Sequence, residues 1–517
     1  MRVGILDLLV DEPVQGLLGR VYAEYFRKQF VTIMPQAIAV WCRQLGHEVH
    51  YATYYGVGRP ERLLPDSLDV VFVAAYTQAS ALAYALAKLF RARGTRTVLG
   101  GPHATAFPED AQRFFDLVVL KCDRALIDDI LEGRCGSRAI VSSGRTLTEF
   151  PTVEERMPEI RKATFLRDRP IFMSVVPMLS SIGCPYRCDF CIDWDSEYVA
   201  LPGQRLEADL AYLSRNFPGL LIAFHDPNFA VRFDETLEIL ARIPERRRNR
   251  YIMESSLAIL KESRLPRLRE TNCTYVAPGI ESWDDYSNKA GAGGKRGAAK
   301  LEQVVAHFRL LGRHVPGVQA NFLFGADVDR GREPVKLTKE FVRRLPQVWP
   351  SINIPTPFGA TPLYARYLAE GRIIKPLPFA FYYNPYLAIT LKHYEPLEYY
   401  DQLIEMHELI VSTRMMATRL LARSRPSIRF VHALRAFATR VELSAFRRMR
   451  TQLVGDPAFR AFHDGRSDRL PEYYRAEARR RLGVYAELLS DADLTPDWER
   501  LSDGARALMS KHIATAA

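Results

Sequence analysis

Short apolar runs rich in β-branched and aromatic residues alternate with longer amphipathic stretches over most of this chain. In the first 150 residues, "RVGILDLLV", "HEVHYATYY", "DVVFVAA", "TRTVLGGP" and "DLVVLK" read as buried strands. Between them, "VTIMPQAIAVWCRQLG" and "ASALAYALAKLFRARG" carry apolar residues at helical spacing. This alternation predicts an α/β, doubly wound (Rossmann-like) parallel sheet, whose ligands sit beyond the carboxyl ends of the strands. "YTQAS" (76–80) and "GGPHA" (100–104) fall at two such ends. Adjacent glycines there let a large ligand approach the backbone, although a tight strand-to-helix turn explains them equally well.

From residue 171 to about 372 the alternation recurs six times. The strands read "FMSVVPMLSS", "LLIAFHD", "RYIMESS", "TYVAPGIES", "VQANFLFGAD" and "SINIPTP", separated by stretches such as "LEADLAYLSRNF" and "LEQVVAHFRLLGR". Units of this size predict a partial or complete (β/α)6 barrel of the TIM type, with its chemistry at the carboxyl ends of the strands. Cys184, Cys188 and Cys191 lie just past the first strand, and Asp226, Glu254, Glu281 and Asp327 end four others. Four carboxylates are therefore expected around one mouth that also holds the thiols.

From residue 382 the pattern turns helical. In "IRFVHALRAFATRVELSAFRRMR", Phe430, Leu434, Phe437, Val441 and Ala445 share one face, and Arg429, Arg440 and Arg447 share another. We read a solvated arginine face on a helix that caps the barrel. The alternative is contact with an acidic ligand or an anionic membrane surface. At 517 residues the chain divides into three expected parts, 1–150, 151–375 and a helical 376–517.

Composition changes this picture little. With 48% hydrophobic and 25% charged residues the chain is ordinarily globular, and its net charge of +11 favours anionic partners without naming one. No nucleic-acid partner is expected. Seven scattered cysteines argue against a secreted disulfide framework. The amino terminus lacks the long apolar core of a signal peptide. The uncharged stretch 70–87 could just span a bilayer, but Thr77, Gln78 and Ser80 in its middle favour strand, turn and helix. A soluble, cytoplasmic protein is expected. "GAGGKRG" (291–297) has neither the strand before it nor the Ser or Thr after its lysine that a phosphate-binding loop needs, and reads as a flexible loop.

The stretch "CPYRCDFC" (184–191) places three cysteines in eight residues with no fourth nearby. Such spacing suits a zinc site completed elsewhere, with His225 a conceivable fourth ligand, or an iron–sulfur cluster with one iron left open. Purely structural cysteines are the third reading.

The spacing CxxxCxxC with an aromatic before the last cysteine, met here by Cys184, Cys188, Phe190 and Cys191, resembles the signature of the radical S-adenosylmethionine (SAM) superfamily. "SSIG" before it, "FHDPNF", "GIES", "FLFGAD" and "PTPFGATPLY" resemble further motifs of that family. "DVVFVAAYTQAS" and "VLGGPHATAFPED" resemble its subfamily with a preceding cobalamin-binding domain. The likeness covers residues 1 to about 375. It implies a [4Fe-4S] cluster on the three cysteines, with the open iron chelating SAM. Backbone at Phe190 would approach the adenine, and Asp226, Glu254 and Glu281 are the candidates for SAM contacts. Cobalamin would lie against Tyr76, Thr77, Gly100, Gly101 and His103, with no histidine ligand because the chain lacks DxHxxG. Relatives often carry GEGE after the fifth strand; this chain has "KCDR" (121–124).

The resemblance thus implies a metal-binding methyltransferase acting through a 5′-deoxyadenosyl radical and methylcobalamin. Its expected substrate is an unactivated carbon of a small metabolite, lipid or natural product, with an external donor such as flavodoxin or ferredoxin supplying electrons. The alternatives are a radical cyclisation, oxidation or rearrangement without methyl transfer, and a cluster- or cobalamin-bearing sensor without turnover.

Overall fold

The first 141 residues wind into a sheet of six parallel strands: β1 (Arg2–Leu8), β2 (Glu48–Tyr54), β3 (Val70–Ala75), β4 (Arg96–Gly100), β5 (Leu117–Val119) and β6 (Ala139–Val141). This is a computed structural model, describing residues 1–14, 16–145, 147–422 and 425–501. The strand order is β2-β1-β3-β4-β5-β6, so the winding reverses between β1 and β3, where such sheets open a crevice. Five of these strands lie inside the runs predicted from sequence. β6 is three half-buried residues at the sheet edge, too short to leave a pattern. The stretch 70–87 divides as expected into β3, a turn at Thr77–Ala79 and the helix Ser80–Ala92. Among the described residues no helix is long and apolar enough to cross a membrane.

The second sheet holds β7 (Val175–Met178), β8 (Leu221–Phe224), β9 (Tyr251–Met253), β10 (Cys273–Val276), its near-continuation β11 (Gly279–Glu281), β12 (Gly317–Leu323) and β13 (Val348–Asn353). All pairings are parallel, in the order β7-β8-β9-β10-β12, with β11 and β13 also alongside β12. No ladder joins β7 to β13 among the described residues, so the barrel is open along one side. Both edge strands carry an internal proline, Pro177 and Pro350. A residue without an N–H cannot extend a ladder, which is why proline belongs at sheet edges.

One face of the first sheet buries Val3, Ile5, Val70 and Phe72, and this core runs on into Val175 and Ala223 of the second sheet. The other face is covered by Leu482, Tyr485 and Leu489 from the carboxyl-terminal region. That region is strapped down by ion pairs Arg481–Asp11 (2.9 Å) and Lys88–Asp493 (2.6 Å).

The region expected to be helical from residue 382 contains Pro396–Ile410 and Thr413–Leu421, while 423 and 424 lie outside the described residues. The thirty-residue helix Pro426–Gly455 follows. It caps the barrel, but not with the face its apolar residues suggest. Ile428, His432, Ala436, Thr439, Leu443, Phe446 and Met449 point inward, whereas Phe430, Phe437 and Val441 are 42%, 54% and 55% exposed. The inward row mixes small and polar residues because the helix crosses close over β12, where Ile428 abuts the bare Cα of Gly317. Hydrophobicity alone does not mark such a row.

Candidate active site

The cysteine loop is built by its flanks. Ser181–Ile182 pairs antiparallel with Val199–Ala200, closing residues 183–198 into a hairpin beyond β7. Gly183 sits at φ +69°, and a Cβ there would collide with the Glu197 carbonyl, so the turn requires glycine. Within the loop the Cys191 N–H donates to the Cys188 carbonyl (3.1 Å). All three thiols are free; Cys184 is buried, and Cys188 and Cys191 are partly so. Burial pushes the Cys188 thiol up to about 11 and raises Cys191, while the Lys289 ammonium pulls both the other way.

The expected ring of four carboxylates is halved. Asp226 is buried, and its carboxylate accepts from the Ser180 N–H (3.1 Å), the Ser180 hydroxyl (2.6 Å) and the Ser181 hydroxyl (2.6 Å). These bonds tie it to the strand end that feeds the cysteine loop. Asp327 is likewise taken by Arg372 at 2.8 and 2.9 Å, which with Tyr367 keeps its carboxyl below the ordinary range despite burial.

Glu254 and Glu281 do face the mouth. Burial raises both carboxyls, Lys289 lowers both, and the charge of Glu254 raises Glu281 further. Glu281 adopts φ +64°, rare for a residue with a side chain. Its carboxylate folds back over Gly279, where any Cβ would strike it, so the glycine of "GIES" makes room for the glutamate.

Lys289, on the turn Asn288–Ala290, was not legible as a site residue. Burial pulls its ammonium down, but Glu281 and the three thiols more than offset this and leave it raised. The ammonium lies 5.7 Å from the centre of the Phe190 ring, which stacks on Tyr286 at 5.4 Å. A cation, two carboxylates, three thiols and an aromatic wall thus meet at the carboxyl ends of β7 to β11. His225 is held neutral, pushed down to about 4 by burial.

The loop is also fastened across the open side. Trp194 Nε1 donates to the Ala360 carbonyl (2.7 Å), the Leu363 N–H donates to the Asp189 carbonyl (3.0 Å), and Arg366 pairs with the Asp189 carboxylate (2.9 Å). These partners lie beyond β13, on the approach to and within the helix Pro362–Ala369.

At the edge of the first sheet, Tyr76 is 38% exposed and Gly100 is half-buried. Gly101 takes φ +88°, with space for a Cβ only 3.1 Å from the Ala75 backbone. Thr77 and His103, expected beside them as ligand contacts, are buried behind the edge. The His103 Nε2 meets the Tyr84 hydroxyl (2.6 Å), which also donates to Asp110 (2.7 Å), and burial drives the imidazole down to about 3. In "KCDR", Asp123 caps the helix Arg124–Leu131 through the Leu126 N–H (2.8 Å). Lys121 and Lys289 both act on the carboxyl of Asp193 in the cysteine loop, which burial raises. The two sheets meet nearby: a Cβ on Gly359, beyond β13, would strike the Ala106 carbonyl, and Phe107 stacks on Phe379 at 3.8 Å.

The thiol loop fits a four-iron cluster better than a lone ion. Among the described residues no three His, Cys, Asp or Glu side chains converge on a single metal position. A cubane places each thiolate on a different iron and needs no such convergence, and the Lys289 ammonium opposes the negative charge that three thiolates bring.

Residues 178–330 match the family model described as the Radical SAM superfamily, which marks a radical SAM catalytic domain in this chain. Within that class its two sheets together have the fold of cobalamin-bound members. OxsB, solved with aqua-cobalamin, aligns over 98% of this chain and 84% of its own at TM-score 0.56 and 11% identity. TsrM from Kitasatospora setae, solved with tryptophan and a SAM analogue, aligns over 73% and 77% at TM-score 0.50 and 14% identity. In sequence the chain is 25% identical to the bacteriochlorophyllide d C-8(2)-methyltransferase of Chlorobaculum tepidum over 74% of this chain and 86% of the relative. It is 23% identical to the C-12(1)-methyltransferase of the same organism, over 57% and 65%.

Proposed function

We propose that this enzyme is a cobalamin-dependent radical SAM methyltransferase acting on an unactivated carbon of a small metabolite, lipid or natural product. The observation that carries the reading is a juxtaposition. The thiol loop beyond β7 and the carboxyl edge of β3 and β4 are held near one another by the contacts of Gly359 with Ala106 and of Phe107 with Phe379. Relatives named as carbon methyltransferases support it, as does the shared fold of TsrM and OxsB.

When bound, a [4Fe-4S] cluster supplies the electron that cleaves SAM, and cobalamin supplies the methyl carrier. Cys184, Cys188 and Cys191 would hold three irons. Glu254 and Glu281 offer acceptors to the ammonium or ribose hydroxyls of SAM, and an ionised carboxylate serves both. Lys289 offsets their charge. The stacked Phe190 and Tyr286 wall one side of the mouth against water. On the facing edge, Tyr76, Gly100 and Gly101 offer a low backbone surface for a corrin. The His103 ring is engaged with Tyr84 and buried, so it would not be the residue that ligates a bound cobalamin.

A second reading, a radical reaction without methyl transfer, is favoured by Lys121 and its neighbours standing where relatives often carry GEGE. Anaerobic reconstitution with cobalamin and a flavodoxin-type reductant, then mass spectrometry of the SAM products, separates the two. S-adenosylhomocysteine together with 5′-deoxyadenosine supports methylation. 5′-Deoxyadenosine alone supports the second reading, and neither product, with substrate supplied, supports a sensor.

A further inference from the structure

The outward face of the helix Pro426–Gly455 does not stand alone. Alongside it runs the helix Gly16–Tyr25, with Tyr22 against Phe437 (6.3 Å between rings) and Phe26 against Phe430 (6.0 Å). Phe172 closes edge-on against Phe430 at 5.5 Å. An open groove of ≈ 470 Å³ lies between them, lined by Tyr25, Phe26, Ile171, Phe172, Met173 and Phe430 among others. Around it the apolar side chains project into solvent: Leu17 is 77% exposed, Leu421 82% and Phe172 57%. Contiguous exposure of this kind marks a surface that is covered in use.

The charges around this surface are predominantly basic, with Glu24 the exposed carboxylate of the helix Gly16–Tyr25. The long helix carries a single carboxylate, Glu442, and it faces inward, accepting from Asn384 Nδ2 (2.8 Å) near His407. Arg20, Arg414, Arg425, Arg429 and Arg440 have no carboxylate partner among the described residues. From Phe430 to Val441 the exposed row extends roughly 17 Å at the rise of a helix. It is a row of projecting side chains rather than an enclosed pocket, so it offers little shape for a rigid partner to match. A fluid apolar medium beneath an anionic surface needs no such match.

We propose that this two-helix face docks on an anionic lipid bilayer, inserting Phe430, Phe437, Val441 and Leu17 below the headgroups while the unpaired arginines meet lipid phosphates. The test is co-sedimentation of the full chain with vesicles of phosphatidylcholine alone and of a two-to-one mixture with phosphatidylglycerol. Binding to the mixed vesicles, weak binding to the neutral ones and loss of binding at high salt are expected. Arg425→Gln and Arg440→Gln should each weaken binding about fivefold, the share of one basic residue near an anionic surface. Phe430→Ser with Phe437→Ser should abolish it while leaving SAM cleavage unchanged and lowering the melting temperature by only a few degrees, since both rings are about half exposed and lose only their contacts with Tyr22, Phe26 and Phe172. No sedimentation with mixed vesicles overturns the proposal, as does binding that survives the double serine variant. A dimer in solution that the same variant converts to monomer also overturns it, in favour of a second copy of the chain as the occupant.

Discussion

Removing the Asp226 carboxylate should destabilise the barrel before it affects any cofactor. Asp226→Ala leaves three donors facing a vacancy: the Ser180 N–H and the hydroxyls of Ser180 and Ser181. The hydroxyls can turn to other acceptors, but the N–H cannot, and an unsatisfied buried N–H costs about 1–3 kcal/mol. Two charge-assisted bonds of about 1.5–3 kcal/mol each are also lost. Against this stands the relief of burying a carboxylate, visible in its raised pKa. The net is about 3–5 kcal/mol, the range seen when one partner of a buried charged network is deleted. In a barrel of this size that lowers the melting temperature by roughly 6–20 °C. Ser180 and Ser181 directly precede the Gly183 turn, so iron and sulfide retained after anaerobic reconstitution should fall in parallel. Asp226→Asn keeps one acceptor oxygen and should recover at least half of both. The reasoning fails if Asp226→Ala melts like the parent, keeps its iron and loses only SAM affinity. Asp226 would then be the cofactor contact that the family resemblance implied.

Glu281→Gln should weaken SAM binding by roughly ten- to a hundredfold, the value of a charge-assisted bond, with iron content unchanged; titration on the anaerobic variant checks this, and unchanged affinity removes Glu281 from the site. The His463 imidazole is buried against the Tyr474 hydroxyl (2.8 Å) and pushed down to about 3, from an ordinary value of 6.5. Below pH 6.5 the unfolded chain therefore takes up a proton that the folded chain refuses, so the stability this group contributes is intact above that pH and is lost as pH falls. Between pH 6.5 and 5 the parent should lose about 1.6 kcal/mol more stability than His463→Gln, read from urea unfolding curves.

The sequence reveals most where the constraint is local. The cysteine spacing and the glycine of "GIES" are fixed by neighbours a few residues away, and both are visible in the letters. The strands are legible because their residues are buried on both faces and the runs are continuously apolar. What the letters hide depends on distant chain. Asp226 looks like an active-site acid at a strand end, and only the return of Ser180 and Ser181 to its side shows that its charge is already used. His103 sits in a ligand-type turn, but Tyr84 and Asp110, from helices on either side of it in the sequence, claim its ring. Lys289 carries no motif of its own, because its importance lies in the two carboxylates and three thiols that folding brings to it. The long carboxyl-terminal helix misleads most. Phe430, Phe437 and Val441 lie outside, while the inward row interrupts Ile428, Leu443, Phe446 and Met449 with His432, Ala436 and Thr439.

The proline in each edge strand leaves the barrel as a cylinder slit along its length. The two lips are fastened at the top by Trp194, Asp189 and Arg366, so the strap across the slit is the same loop that carries the thiols. Any widening of the slit pulls on that strap before it disturbs a strand. The width of the mouth and the seating of the three cysteines therefore depend on the same three contacts.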